Sequence, residues 1–413
     1  MIPPKRKQAY SVFEGAVESG GDPAEAHFLT DLFRLNPEQE RSLTHCFHPY
    51  AARLHPSIAS GAIKRYAGAR GRVYDPFCGS GTVLVEAMAA GVAVAGSDAS
   101  PLAVEIARVR TTPMDGARRK HLIEIADQIA DDSAERAMRR TRLEEMPAWA
   151  RLERPRFEPH VFLELLGLRA CIAAVEKIDP EMRRALWMCL SSSLVKWSKE
   201  AGPGIKVVAA ATKWMSDDGE DAFVRRIGRG VPSRFFARRV RELCDALADL
   251  QQVVGKTRPP ETAVADAREC KGVHDATVSL IVTSPPYAGI YDYLRLHETR
   301  YHFTGLDSSK FAAMQIGMPG SHSRTFRRAR SAFMAEIARM LRPKAWALLV
   351  VGDGVLDSKP ENARDDTADA AHEAGLQPVA FASQERRPRD SRLRAVFENT
   401  PRREHLLLFR KRP

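Results

Sequence analysis

The chain has 413 residues, 44 % hydrophobic and 28 % charged, the balance of a globular protein and not of a disordered or fibrous one. No apolar run reaches the roughly 18 residues that span a bilayer, no apolar segment follows the basic N-terminus, and none of the six cysteines forms a Cys-x-x-Cys pair; a membrane protein, a secreted protein and a zinc module are not expected. A net charge of +11 makes a polyanion such as nucleic acid a natural partner, and reduced cysteines suit a cytoplasmic location.

In chain order, the stretch to about residue 70 reads as helix and loop. Arg72-Val73-Tyr74 then forms a short strand that runs into Asp75-Pro76-Phe77-Cys78-Gly79-Ser80-Gly81-Thr82. Val83 to Ala90 is a helix closed by Gly91, and Val92 to Gly96 is a second strand ending near Asp98. Strand, glycine turn, helix, strand and acid make half of a dinucleotide-type βαβ unit. Residues 113–250 change character: Arg, Glu, Ala and Leu recur at helical spacing, which predicts a mainly helical insertion. Strands return at 262–265, before Asp266, at 278–282, before Thr283, and at 345–351. A final pair, 376–382 and 404–409, predicts an antiparallel hairpin at the sheet edge. The expected units are 1–112, with the glycine loop; 113–255, the helical insertion and expected target-recognition region; and 256–413.

The glycine loop has a physical logic. Gly79 and Gly81 allow backbone dihedrals and close approach that a Cβ would block. The turn opens a helix N-terminus, whose free N–H groups receive an anion: pyrophosphate in a dinucleotide enzyme, a methionine carboxylate in a methyltransferase. Asp75 is then placed to hold an amino group, Asp98 to accept ribose hydroxyls and Asp266 to bind an adenine amino group, although an Asp after a strand is also a common helix cap.

A second loop, Thr283-Ser284-Pro285-Pro286-Tyr287, follows the apolar strand directly. Two prolines fix φ and remove two N–H donors, leaving rigid outward carbonyls at the carboxyl end of a strand, where open α/β sheets bind ligands. Ser284 Oγ and the Pro285 carbonyl can each accept one hydrogen of an amino group, aiming its nitrogen at an electrophile by positioning alone. Tyr287 offers a face on which an extruded base can stack.

At these two loops the chain resembles the amino-methyltransferases of DNA, the cytosine-N4 and adenine-N6 enzymes. The resemblance implies a Rossmann-like α/β methyltransferase fold, a mostly parallel sheet with helices on both faces, and S-adenosylmethionine as cofactor. It assigns cofactor binding to His48, Asp75, Phe77, Cys78, Gly79, Ser80, Gly81, Thr82, Asp98, Ala99, Asp266 and Ala267, and catalysis to Ser284, Pro285, Pro286 and Tyr287. His48 enters through His48-Pro49-Tyr50, similar to a family segment at the methionine end of the cofactor. Serine at position 284 leans towards cytosine N4, on DNA and without a metal. The cofactor-first order of the motifs is shared with guanine-N2 methyltransferases of RNA, which makes RNA the alternative partner.

Basic residues gather in three places: Arg225 to Arg241, with Phe235 and Phe236 among them; Arg324, Arg327, Arg328 and Arg330; and Arg386 to Arg394. Each is a possible phosphate contact or a solvated face. The loop 199–206 can enter a groove, and Tyr291, Asp292 and Tyr293 line a base pocket or pack the following helix. No helix-turn-helix or zinc-finger spacing is present.

Overall fold

Apolar β-branched runs supply the central strands. The computed structural model of the chain describes residues 13–68, 70–138, 146–199, 228–388 and 391–413. The predicted loop 199–206 beyond Lys199, together with Arg225, Arg226 and Arg389, lies outside the described residues. Val278–Thr283 (β5) is buried along its whole length, and Leu341–Gly352 (β6) through its last six residues. Successive side chains alternate between two cores: Leu280, Val282, Leu348 and Val350 enter one, while Ile281, Ala347, Leu349 and Val351 enter the other. Strands covered on both faces read as continuous apolar runs, as these do.

Arg72–Asp75 (β2), Ala93–Asp98 (β3) and Glu261–Val264 (β4) extend the sheet on one side. Leu376–Arg386 (β9) and Arg403–Lys411 (β10) extend it on the other. With Phe13–Gly21 (β1) the order is β1-β9-β10-β6-β5-β2-β3-β4. From β6 to β4 all neighbours are parallel, and from β6 to β1 all are antiparallel. The predicted C-terminal hairpin is present, but it is not the edge. The N-terminal stretch, expected to be helix and loop, contributes β1 outside β9. Its sequence, FEGAVESGG, lacks an apolar run because an edge strand pairs through its backbone. Gly20 and Gly21 let it in: a Cβ on Gly21, at φ +97°, would overlap the Val379 carbonyl oxygen.

Helices cover the sheet. Pro23–Leu32 (α1) and Pro56–Tyr66 (α2) precede β2; Thr82–Ala89 (α3) and Pro101–Thr111 (α4) flank β3. The insertion folds as Gly116–Met138 (α5), Ala148–Glu153 (α6), Pro159–Ala174 (α7), Pro180–Trp197 (α8) and Val231–Val254 (α9). Tyr293–Thr304 (α10), Phe311–Met314 (α11) and Ser323–Met340 (α12) lie between β5 and β6. A small hairpin, Val355–Leu356 (β7) with Lys359–Pro360 (β8), then Ala363–Glu373 (α13) and Ser391–Val396 (α14) complete the chain. Asp179 caps α8, Asp292 caps α10 and Ser100 caps α4, each accepting backbone N–H bonds that the first turn leaves unpaired.

The chain leaves β2 outward to β3 and β4, returns to β5, and then proceeds to β6 on the opposite side. The order reverses between β2 and β5, where Val73 pairs with Leu280 and Tyr74 with Ile281. Ligands of open α/β sheets bind outside the carboxyl ends of the strands at such a reversal. Both signature loops leave from those two strands, so segments far apart in sequence meet there.

Candidate functional site

The glycine loop is tightly held. Cys78 N–H bonds the Ser97 carbonyl at 2.9 Å and Gly81 N–H bonds that of Cys78 at 2.7 Å. Gly79 and Gly81 have φ of +50° and +85°. A Cβ on Gly81 would lie 2.9 Å from Ala107 Cβ, so close helix packing requires glycine there. Arg110, almost fully buried, braces the loop: its guanidinium donates to the Ser80 carbonyl at 2.5 Å and hydroxyl at 3.0 Å, to the Thr44 carbonyl at 3.0 Å and to His45 Nδ1 at 2.6 Å. His45 in turn meets Glu86 at 2.7 Å, and burial holds its imidazole near a pKa of about 4.

Two acids face this loop. Asp75 accepts the Thr283 hydroxyl at 2.6 Å and the Phe77 N–H at 3.1 Å. Asp98 accepts the N–H groups of Gly79 and Ser100, both at 2.8 Å. Desolvation by burial raises Asp75 to about 7, with the charge of Asp98 adding to it, and raises Asp98 to about 6. Neither takes part in an ion pair among the described residues. Two desolvated carboxylates without a cation fit a ligand that brings an ammonium group and hydroxyls.

Asp75 also connects the two signatures, because Thr283 belongs to the second. The next hydroxyl, Ser284 Oγ, donates to the Val350 carbonyl at 3.0 Å. Its hydrogen is thereby spent on β6, and its lone pairs remain to accept. Behind it, Tyr287 donates its hydroxyl to Glu404 at 2.7 Å, and Glu404 pairs with Arg386. The Tyr287 ring packs so closely on Gly352 that a Cβ there would overlap it.

A cleft of about 850 Å³ runs between the loops. Asp75, Phe77, Cys78, Gly79, Ser80, Thr82, Asp98, Ala99, Asp266, Ala267, Ser284 and Pro286 line it. Four assigned residues do not. Gly81 sits behind the loop against α4. His48 is buried, its Nε2 3.1 Å from Ser191 Oγ, and its neighbours Tyr50 to Leu54 reach the cleft instead. Pro285 and Tyr287 face a smaller adjoining cavity of about 250 Å³, which Pro286 shares. Asp266 lines the cleft with its carboxylate engaged by Arg268 at 2.6 Å.

Sequence reasoning missed Val83, Phe311, Met314, Gln315 and Ile316, which also line the cleft. No chemistry-bearing pattern marks them: Val83 is an apolar residue of α3, and Phe311 to Ile316 reach the cleft from α11 and the residues just after it. Tyr293 was legible: it lines the cleft beside Tyr50, their rings 6.4 Å apart and stacked, with His297 4.8 Å behind Tyr50. Asp292 belongs to the other reading, bonding Arg295 N–H and Gln315 as a helix cap.

The family described as the RMKL-like methyltransferase domain matches residues 41–146, about a quarter of the chain and the part that carries the glycine loop. The type II methyltransferase M.MvaI of Kocuria varians is 24 % identical over 258 residues, which cover 60 % of this chain and 54 % of the relative. The type II methyltransferase M.MjaII of Methanocaldococcus jannaschii is 35 % identical over 92 residues, 22 % of this chain and 17 % of the relative. The matched stretches thus span about half of one relative and less than a fifth of the other. Among solved structures, the rRNA methyltransferase aviRa of Streptomyces viridochromogenes covers 88 % of this chain with 87 % of its own, at 12 % identity and a TM-score of 0.31, which adds nothing to what the sheet shows. The likeness to DNA amino-methyltransferases carried by the two loops is borne out by these relatives. The fold is the Rossmann-like methyltransferase fold, and the cofactor is S-adenosylmethionine.

Proposed function

We propose that the chain is a DNA methyltransferase that transfers the methyl group of S-adenosylmethionine to an exocyclic amino group, cytosine N4 first, on a base turned out of the duplex. One observation carries the reading most directly: Ser284 Oγ, on a cleft shared with the glycine loop, donates to the Val350 carbonyl at 3.0 Å, which leaves its oxygen to accept from an incoming group. Ser284 Oγ can accept one hydrogen of an amino group in that cleft, while Pro285, whose carbonyl the sequence suggested for the other, faces the adjoining cavity. The bound cofactor supplies an electrophilic methyl. The protein's part is placement: Asp75 and Asp98 hold the ammonium and ribose groups, and Ser284 draws an amino hydrogen aside so that the nitrogen lone pair points into the cleft. The proton leaves after the methyl arrives, so no strong base is required. None of the described residues near Ser284 has to serve as one.

The type II methyltransferase relatives support DNA as substrate, and serine at position 284 supports cytosine. The test is incubation with methyl-labelled S-adenosylmethionine and separate DNA and RNA, followed by mass spectrometry of the nucleosides. N4-methylcytosine is the expected product. N6-methyladenine would move the target base, and label confined to RNA guanine would overturn the DNA reading.

A further inference from the structure

The three arginines at the start of α12 do nothing for the fold. Arg324, Arg327 and Arg328 stand at i, i+3 and i+4, all exposed, opposite the buried stripe of Phe326, Ala329, Arg330, Phe333 and Met334. None has a carboxylate within ion-pair distance among the described residues. Arg330, the fourth arginine of the run, is different: it is buried and paired with Glu361 and Asp366. Three like charges crowded on the first turns of a helix repel one another, and they oppose the positive end of its dipole. A surface that folding disfavours and leaves without counterions is ready for an anion from outside.

Its position says which anion. The first turns of α12 sit beside the loop of Ser284. Phe326 packs with Ala288 of that loop and Leu356 of β7, and Gly289 N–H bonds the Gly317 carbonyl. On the same rim, exposed Arg392 of α14 donates to the Gly289 carbonyl at 2.9 Å, and exposed Lys359 ends the small hairpin. In the insertion, Arg118, Arg184, Arg238, Arg239 and Arg241 each pair with a carboxylate of the protein itself, while exposed Arg151, Arg154, Arg229 and Arg234 have no ion pair among the described residues. We propose that Arg324, Arg327 and Arg328, with Arg392 beside them, hold the phosphodiester backbone of duplex DNA next to the base being methylated. The proposal rests on the DNA reading above.

Anisotropy of a fluorescein-labelled DNA duplex, titrated with the full chain and cofactor between 50 and 200 mM salt, tests it. Removing one arginine from a phosphate reduces the slope of log affinity against log salt by about 1. The triple variant R324Q/R327Q/R328Q should therefore lower the slope by roughly 3, and should bind at least about tenfold more weakly at 100 mM salt. Its melting temperature and cofactor affinity should stay at wild-type values. The single variant Arg241→Gln, in the insertion, should keep the wild-type slope. A triple variant with wild-type affinity and slope, in a protein that does methylate DNA, overturns the proposal alone, and so does a loss carried by Arg241→Gln instead. A wild-type protein that methylates only RNA overturns the reading beneath it.

Discussion

Asp75 concentrates the electrostatics of the site in one carboxyl group. Its pKa near 7 lies above the roughly 3.9 of an unfolded aspartate, so the folded, cofactor-free protein holds the proton more tightly. That contribution to stability is complete below the unfolded value and is lost as pH rises through 7. An ammonium ligand requires the opposite form. Cofactor affinity should therefore rise between pH 5.5 and 7.5 as Asp75 and Asp98 ionise, and calorimetric titration should show that Asp75→Asn flattens most of the rise; an equally steep profile in that variant would remove Asp75 from cofactor binding. The Thr283 hydroxyl lowers the Asp75 value, so Thr283→Val should move the midpoint upward and Thr283→Ser should restore it. Ser284 belongs to the other half of the chemistry. Ser284→Ala should cost on the order of 10²-fold in single-turnover methyl transfer and leave cofactor affinity unchanged. A change confined to cofactor affinity would place Ser284 in the wrong half of the site.

Elements differ in how much of them the sequence discloses, and the differences have physical causes. The two signature loops were legible because their backbones demand particular residues, prolines that fix φ in one and glycines that accept positive φ in the other. Their adjacency was not legible, since it is created by β2 and β5 pairing across a reversal in strand order. β1 was missed because an edge strand needs backbone and room more than apolar side chains. His48 was misplaced by one turn of loop: its ring turned towards Ser191 while Tyr50 took the cleft wall. Glycine positions let the loop geometry be tested without touching the chemistry. Gly81 and Gly91 both have positive φ, but only Gly81 is crowded, by Ala107. Gly91→Ala should cost about 1 kcal/mol and Gly81→Ala about 2–3 kcal/mol, strain and clash together, by thermal or denaturant melting. Equal costs would mean that the packing of α3 on α4 tolerates an added Cβ.

At the scale of the whole molecule, the change of composition at residue 113 marks a change of surface and not a separate core. One cluster joins Val85, Leu102 and Ile106 of the cofactor half to Leu165, Leu186 and Leu243 of the insertion and to Tyr301 and Phe303 beyond β5. Phe303 shows the arrangement most clearly. It is fully buried, with ring centroids 5.3 Å from Trp149, 6.0 Å from Phe157 and 6.2 Å from Phe162, so a helix of the catalytic half is set into three aromatics of the insertion. Composition cannot reveal this, because an apolar stripe does not say whose surface it meets. Energetically the consequence is cooperativity: the insertion cannot unfold without stripping α4 and α10 of their cover, and Tyr293 at the start of α10 lines the cleft. Scanning calorimetry should show a single transition that S-adenosylmethionine shifts as a whole. Phe303→Ala should lower that one transition by about 3–5 kcal/mol of stability, the cost of a large cavity in a packed core, and weaken cofactor binding only where the fold itself is failing. Two transitions, with cofactor moving one and Phe303→Ala the other, would show the insertion to be a unit that folds by itself.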